Sequence, residues 1–462
     1  MDQIVKAIVD FTNWLWGPPL MIILAGGGLF LTIRLGFFQF RHLFYMWGQT
    51  FGQMMKKPED PNAISPFQAA TAAIASTIGA ANIVGVPVAI AFGGPGAVFW
   101  MWIIALLGCA SKFSEIVLGI KYREKDASGE YVGGPTYYLA KGFKNKTLGK
   151  FLAGWFAFFL MIEIIPSIST QTVSAAQNAA TLGIPDIATG IAMALIVLVI
   201  VVGGTKRLVQ VTERLVPVMA LIYVIGALVV IGVNIDKLPG VFVLIFESAF
   251  APMAPVGGFA GSTLALALRW GAARGTYSNE AGMGSTPHAH AQANVKDPHD
   301  QGVVAMVSVF IDTFIVLTLN ALVVISTLYA PGGILAQGYT EEVSQVINKT
   351  NLAQTAFGTV FGTQAGAMFV AVCLFFFAFS TVLSWNMFGK INIIYLFGKK
   401  AAPVYSVIAL VFIFLGTLMS NDLVWELTDM FNNLMVIPNA IALFALSGVV
   451  VKICHMSKKA SK

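Results

Sequence analysis

Five residues crowd the middle of one apolar stretch, PFQAATAAIASTIGAANIVGVPVAIAFGG from Pro66 to Gly94: Thr77, Gly79, Asn82, Gly85 and Pro87. The stretch is long enough to cross a bilayer, yet these residues weaken a helix where a spanning helix should be most regular. In hydrocarbon, a backbone N–H or C=O without a partner is costly, so irregular backbone persists there only where protein, ion or ligand satisfies it. A half-helix N-terminus favours a carboxylate and unwound carbonyls favour a cation, so such a break suits both charges of a zwitterion. The competing reading is that Gly79 and Gly85 only allow close helix packing.

A second stretch, GAARGTYSNEAGMGSTPHAHA from Gly271 to Ala291, has the same character. Thr276, Ser278, Asn279 and Glu280 are spaced too closely for one helical face to hide them from lipid. Two interrupted segments at matching places in two halves point to the binding site of a secondary transporter. Glu280 reads either as part of that site or as an ion-pair partner for Arg274 or Arg269.

Other polar residues lie in apolar surroundings. Asp312, in VSVFIDTFIVLTL, reads as a cation ligand or proton carrier, or else as a carboxylate hydrogen-bonded to a broken helix. Ser380 and Thr381, in FFFAFSTVLSW, offer the oxygens a hard cation needs, although such hydroxyls more often bond back to their own helix. Gln171 is a buried amide able to meet a zwitterion, and Trp385 could wall a pocket. His288 and His290, near Asp297, His299 and Asp300, suggest a metal cluster, but are expected to be helix-end and loop residues instead. No Ser-His-Asp order, phosphate loop or HExxH motif suggests an enzyme.

These residues must be positioned by membrane helices. Of 462 residues, 57% are hydrophobic and only 11% charged, outside the range of a soluble globular chain. Recurring apolar runs predict an all-α polytopic membrane protein of about eleven transmembrane helices. The spans are expected near Pro18–Phe38, Pro66–Gly94, Ala97–Ile120, Phe151–Leu182, Ile187–Gly203, Leu215–Val233, Phe259–Gln292, Val303–Tyr329, Phe357–Phe388, Val404–Met419 and Leu434–Val451. The segment VFVLIFESAF, in the mixed stretch Asn234–Gly258, is expected as a helix lying at the interface. Cys109, Cys373 and Cys454 are widely separated and suggest neither a disulfide framework nor a metal knuckle. Asp2, Lys6 and Asp10 precede Gly17-Pro18-Pro19 without a basic n-region, so no cleaved signal peptide is expected.

The net charge of +6 reports orientation rather than a nucleic-acid partner. Lys121, Arg123, Lys125, Lys141, Lys144, Lys146 and Lys150 mark a cytoplasmic loop. With alternating spans, only Lys6, Lys237 and Lys349 of the 28 Lys and Arg fall in outside segments, while Arg269 and Arg274 lie within a span. The N-terminus is then outside and the C-terminus, with Lys458, Lys459 and Lys462, cytoplasmic. The two broken spans run in opposite directions, as an inverted repeat requires. The expected organisation is one transport domain: an extra N-terminal helix and loop (1–60), a first repeat (61–233), a second (241–452) and a tail (453–462).

GGPGAVFWMWIIALLG, from Gly93 to Gly108, resembles the signature of the alanine or glycine:cation symporters. GGPTYYLA, GGTKRLVQVTERLVPVMA, RGTYSNEAGMGS, FSTVLSW and MVIPNAIAL extend the resemblance over nearly the whole chain. It implies a leucine-transporter-type fold, an inverted five-helix repeat core with two discontinuous helices plus one extra helix. The implied function is uptake of alanine and glycine driven by sodium or protons, in the plasma membrane of a prokaryote, with no cofactor besides the coupling ion. Carried over, the unwound segments fall on Ile78–Asn82, including Gly79, and on Thr276–Asn279, with Gln171 and Trp385 facing the substrate. One cation site would use carbonyls near Ala75 and Ile78 with Ser380 and Thr381, and a second would involve Asn82, Thr276 and Asp312. STQTVSAAQN after Ile168 departs from the family pattern, which leaves glutamine open as a substrate. A channel remains the rival from another class.

Overall fold

The computed structural model describes residues 2–54, 64–126, 129–250, 264–336 and 338–460. Lys56, Lys57, Lys462 and the expected start of the second interrupted span at 259–263 lie outside them. The described chain is almost wholly helical. Helices long and apolar enough to span a bilayer are α1 (Lys6–Arg34) and, later in the chain, five more.

The first broken element follows α1 as α2 (Pro66–Thr77) and α3 (Ala81–Gly93), bent by 44°. Then come α4 (Gly96–Lys121), α5 (Lys146–Ala180), the shorter α6 (Asp186–Val201) and α7 (Gly204–Val233). After α8 (Leu238–Phe250), the second broken element comprises α9 (Leu264–Asn279) and α10 (Pro287–His290). The chain continues with α11 (Pro298–Leu328), α12 (Thr363–Phe397), the shorter α13 (Ala401–Gly416) and α14 (Asn421–Ala445). Among the described residues, six helices are long and apolar enough to cross a bilayer, eight if each bent pair counts as one span, with α6 and α13 as shorter apolar helices.

Several boundaries differ from expectation. The basic loop after α4 contains a two-stranded hairpin, Glu124–Lys125 with Tyr131–Val132, and a helix, Pro135–Gly142. The expected span from Phe357 is two helices, because Gly362 adopts φ 86° and ends Leu352–Phe361 before α12 begins. α14 starts at Asn421 rather than near Leu434. Its first half carries Asp422, Glu426, Asp429, Asn432 and Asn433, and hydropathy hides a helix that turns Asp429, Asn432 and Asn433 inward while Asp422 stays exposed.

Burial runs the way a membrane protein requires. α7 exposes Val218, Leu221, Ile222, Ile225 and Leu228, while Lys112, Glu115, Glu163, Arg274, Glu280, Asp312 and Asp429 are all buried. α5 packs along α12 and α14, α4 along α9 and α11, and α2 against both α7 and α12. The two broken elements are thereby held inside the bundle.

Candidate functional site

α2 begins with a capping box: Gln68 N donates to Ser65 Oγ at 3.1 Å, and Ser65 N donates to Gln68 Oε1 at 3.0 Å. It stops at Ile78, whose ψ of 87° leaves the helical region. The chain resumes through a wide turn over Ala81–Gly85 into the helix that contains Pro87. Proline has no N–H for the carbonyl of Ile83, and Asn320 on α11 supplies a substitute, its Nδ2 donating to Ile83 O at 3.3 Å as well as to Asn82 O.

Around the end of α2, one face of α12 supplies a ladder of donors. Ser384 Oγ donates to Ala72 O at 2.9 Å, Thr381 Oγ1 to Ala75 O at 3.0 Å, and Trp385 Nε1 to Ser76 O at 3.2 Å. Thr381 Oγ1 also lies 3.5 Å from Ile78 O. Ser380 Oγ divides between Phe377 O of its own helix, at 2.9 Å, and Ala75 O, at 3.4 Å. Four oxygens, from Ala75, Ile78, Ser380 and Thr381, therefore converge where α2 ends and its carbonyls carry partial negative charge.

The break itself is tight. Ala80 N donates to Gln171 Oε1 on α5 at 2.8 Å, and Gly79 N donates to Asn82 Oδ1 at 3.1 Å. A Cβ on Gly79 would come within 2.5 Å of Thr381 Oγ1 and 2.8 Å of Gln171 Oε1. Only glycine lets the backbone approach both helices this closely.

The second break lies against the first. The residues expected to be unwound there, Thr276–Asn279, are instead the last helical turn of α9; the break begins one residue later, where Glu280 takes φ 54°, with Gly282 and Gly284 at 89° and 83°. Asn82 Nδ2 donates to Ser278 Oγ at 2.9 Å and to Asp312 Oδ1 at 2.8 Å, while Ser278 Oγ donates to Asp312 Oδ2 at 2.8 Å. Asp312 thus joins both broken elements from α11. Asn279 connects through Thr313, its Nδ2 donating to Thr313 Oγ1 at 3.1 Å, while its Oδ1 accepts from Ala281 N and fixes the turn. Thr276 Oγ1 is buried without a hydrogen-bond partner among the described residues.

Two expectations need correction. Glu280 pairs with neither Arg274 nor Arg269: its carboxylate accepts from Trp385 Nε1 at 3.0 Å and from Ser285 Oγ. Arg274 instead makes a bidentate pair with Asp429 on α14, both contacts at 3.0 Å. His288 and His290 do lie at a helix end, in the last turn of α10, but they are fully buried rather than at the surface. His288 Nδ1 faces Ser285 O at 2.6 Å and its Nε2 faces Asn392 Nδ2 at 2.9 Å, while His290 Nδ1 faces Gln301 Nε2 at 2.8 Å. No cluster of metal-binding side chains occurs among the described residues.

Lys112 is the main residue that sequence reasoning missed. It is fully buried on α4, and its Nζ donates to Asn279 O at 2.9 Å. The signal was available, since a charge inside the apolar run GCASKFSEIVLG is anomalous for a membrane span.

Above the first break, Val84, Gly85, Trp270, Arg274, Lys349 and Trp425 line part of a cavity of about 350 Å³. The profile of the sodium:alanine symporter family matches residues 1–462. The chain belongs to that family. It is a multi-pass membrane protein and a cation-coupled amino-acid symporter rather than an enzyme. Among similar proteins is the sodium/alanine symporter AgcS of Methanococcus maripaludis, 38% identical over 450 residues, covering 97% of this chain and 96% of that one. The uncharacterized transporter YflA of Bacillus subtilis is 44% identical over 448 residues, covering 97% and 92%. The probable sodium/glutamine symporter GlnT of the same bacterium is 36% identical over 476 residues, covering 100% and 93%. Among solved structures, an Eremococcus coleocola manganese transporter shares the fold, with a TM-score of 0.53 over 87% of this chain and 88% of that one, at 12% identity.

Proposed function

We propose that this symporter couples inward sodium movement to uptake of alanine and glycine by alternating access. The observation that carries the reading is the convergence of Ala75 O, Ile78 O, Ser380 Oγ and Thr381 Oγ1 at the end of α2. It is an all-oxygen, uncharged set suited to a hard monovalent cation, placed at a negative helix end. The amino acid binds beside it at the unwound residues Ile78, Gly79 and Asn82 and at Thr276, Ser278 and Asn279, with Gln171 and Trp385 as walls. Asp312 holds Asn82 and Ser278 in one frame and is the carboxyl that would take a proton if protons replaced sodium as the coupling ion.

Close packing around the break supports a small substrate over glutamine. Gly79 has no room for a methyl group between Thr381 and Gln171, and Trp385 is buried against the same backbone. The archaeal relative named as a sodium/alanine symporter supports alanine, while the relative named as a probable sodium/glutamine symporter makes glutamine the competing substrate. The broken elements belong to two inverted repeats, residues 61–233 and 241–452, in a prokaryotic plasma membrane with the N-terminus outside. The one-sided distribution of Lys and Arg supports that orientation.

The test is uptake of labelled alanine into proteoliposomes under an inward sodium gradient, against equimolar potassium and against a proton gradient. Accumulation with sodium alone supports the proposal. Accumulation with protons alone moves the coupling ion to a carboxyl, with Asp312 and Glu280 first in line, and preference for glutamine over alanine overturns the substrate assignment.

A further inference from the structure

The two breaks are chemically unequal. At the first, the carbonyls of Ala75 and Ile78 meet the neutral hydroxyls of Ser380 and Thr381. At the second, the carbonyl of Asn279, the last residue of α9, accepts from Lys112 Nζ at 2.9 Å. A half-helix C-terminus carries about half a negative charge, and in discontinuous transporter helices such carbonyls are where cations bind. One break keeps its oxygens for an ion from solution. The other is met by a lysine nitrogen, tethered to α4.

The surroundings of Lys112 fit that role. The side chain is fully buried, in the field of Glu280, Glu115 and Asp312. Each of those carboxylates has its own donors as well: Trp385 and Ser285 for Glu280, Asn439 for Glu115, and Asn82, Ser278 and Thr313 for Asp312. Asn82 turns its amide nitrogen, not its oxygen, toward Asp312, so its contribution there is a donor rather than an ion ligand. The set around the second break is therefore organised about carboxylates and a lysine.

We propose that Lys112 is a built-in cation at the second break, so that each transport cycle carries a single coupling cation, bound at the first break. The residue is a positioning group: it holds the C-terminal end of α9 and with it Ser278 and Asn279. This inference rests on the cation site proposed at Ala75, Ile78, Ser380 and Thr381, and its test separates the two claims.

Coupling stoichiometry is read from the membrane voltage at which a sodium gradient just balances an alanine gradient in proteoliposomes. Sodium-dependent alanine binding to the purified full-length protein, which needs no turnover, provides the second readout. The wild type is expected to move one sodium per alanine with a Hill coefficient of one for sodium, and two sodium ions per alanine overturns the proposal. Lys112→Gln is expected to raise the sodium needed for half-maximal alanine binding by about tenfold or more and to move the Hill coefficient above one, as ions from solution replace the missing charge. Wild-type values in that variant overturn it. If folded Lys112→Gln binds no alanine, Lys112→Arg decides: restored binding with a Hill coefficient of one supports the built-in cation, and no restoration contradicts it. Alanine binding by the wild type that ignores sodium altogether defeats the cation site itself, a failure distinct from that of Lys112.

Discussion

Asn82 Nδ2 lies 2.8 Å from Asp312 Oδ1, a hydrogen bond that spans 230 residues of chain and fastens the first broken helix to α11. Ser278 completes the junction from the second broken helix, its hydroxyl donating to the other oxygen of the same carboxylate. The relative placement of the two broken elements therefore rests on this buried acid together with the direct Asn82–Ser278 hydrogen bond. Asp312→Asn keeps the shape but replaces an acceptor oxygen with a donor that faces the hydroxyls of Ser278 and Thr313. Losing charge-assisted hydrogen bonds of this kind costs about 1.5–3 kcal/mol, so alanine affinity should fall by roughly tenfold or more at saturating sodium. Equilibrium binding on purified protein checks this, and unaltered affinity would remove Asp312 from the frame of the site.

Gly79→Ala places a methyl group within 2.5 Å of Thr381 Oγ1. Either α2 or α12 must give way, and both the oxygens of the proposed cation site and the Gln171 contact move with it. The variant should insert in the membrane at normal levels and show sodium-driven uptake below about a tenth of wild type. Uptake near normal would show that the break tolerates a Cβ and that its tightness is incidental.

Thr381→Ala removes the hydroxyl that meets both Ala75 O and Ile78 O, whereas Thr381→Ser keeps it. The sodium concentration for half-maximal uptake should rise by about tenfold in the first and by less than about threefold in the second. Ser380→Ala should have the weaker effect of the two alanine variants, because its hydroxyl is shared with Phe377 O. Equal sodium dependence in all four proteins would place the ion elsewhere.

Asn320→Leu deletes the donor that satisfies the carbonyl left open by Pro87. An unsatisfied buried carbonyl costs about 1–3 kcal/mol, so thermal stability in detergent should drop, while sodium affinity, set on the other side of the break, should change little. A melting temperature equal to that of the wild type would contradict this role for Asn320.

Arg274→Met leaves Asp429 charged and buried without its bidentate partner, at a cost of about 3–5 kcal/mol, whereas Arg274→Met with Asp429→Leu removes both charges together. The double variant should recover most of the stability lost by the single one. Stability lost additively would show that the two residues act separately.

Much of this site was legible in the sequence because membrane spans are so uniform that wrong residue types stand out. Gly79, Asn82 and Pro87 mark the first break directly, whereas Thr276, Ser278 and Asn279 only flank the second, which opens at Glu280 and runs through Gly282 and Gly284. Pairings were less legible. Arg274 reads locally with Glu280, six residues on, but its partner Asp429 lies 155 residues away on a helix whose polar first half hydropathy discounts. His288 looked like a helix-end residue because nothing nearby in sequence announces that Gly134, Phe156 and Phe388 close around it. Lys112 was in plain view as a charge in an apolar run. Its meaning came only from the carbonyl it meets.

The central claim is that the cation at the end of α2 and the amino acid at the break bind as linked partners. Alanine affinity of the purified wild-type protein, measured across a sodium titration at constant ionic strength, tests it most directly. The account predicts that alanine binds at least about tenfold more tightly in saturating sodium than in potassium, that sodium binding tightens by the same factor when alanine is saturating, and that Thr381→Ala abolishes both effects. An alanine affinity that stays constant from zero to saturating sodium would contradict it.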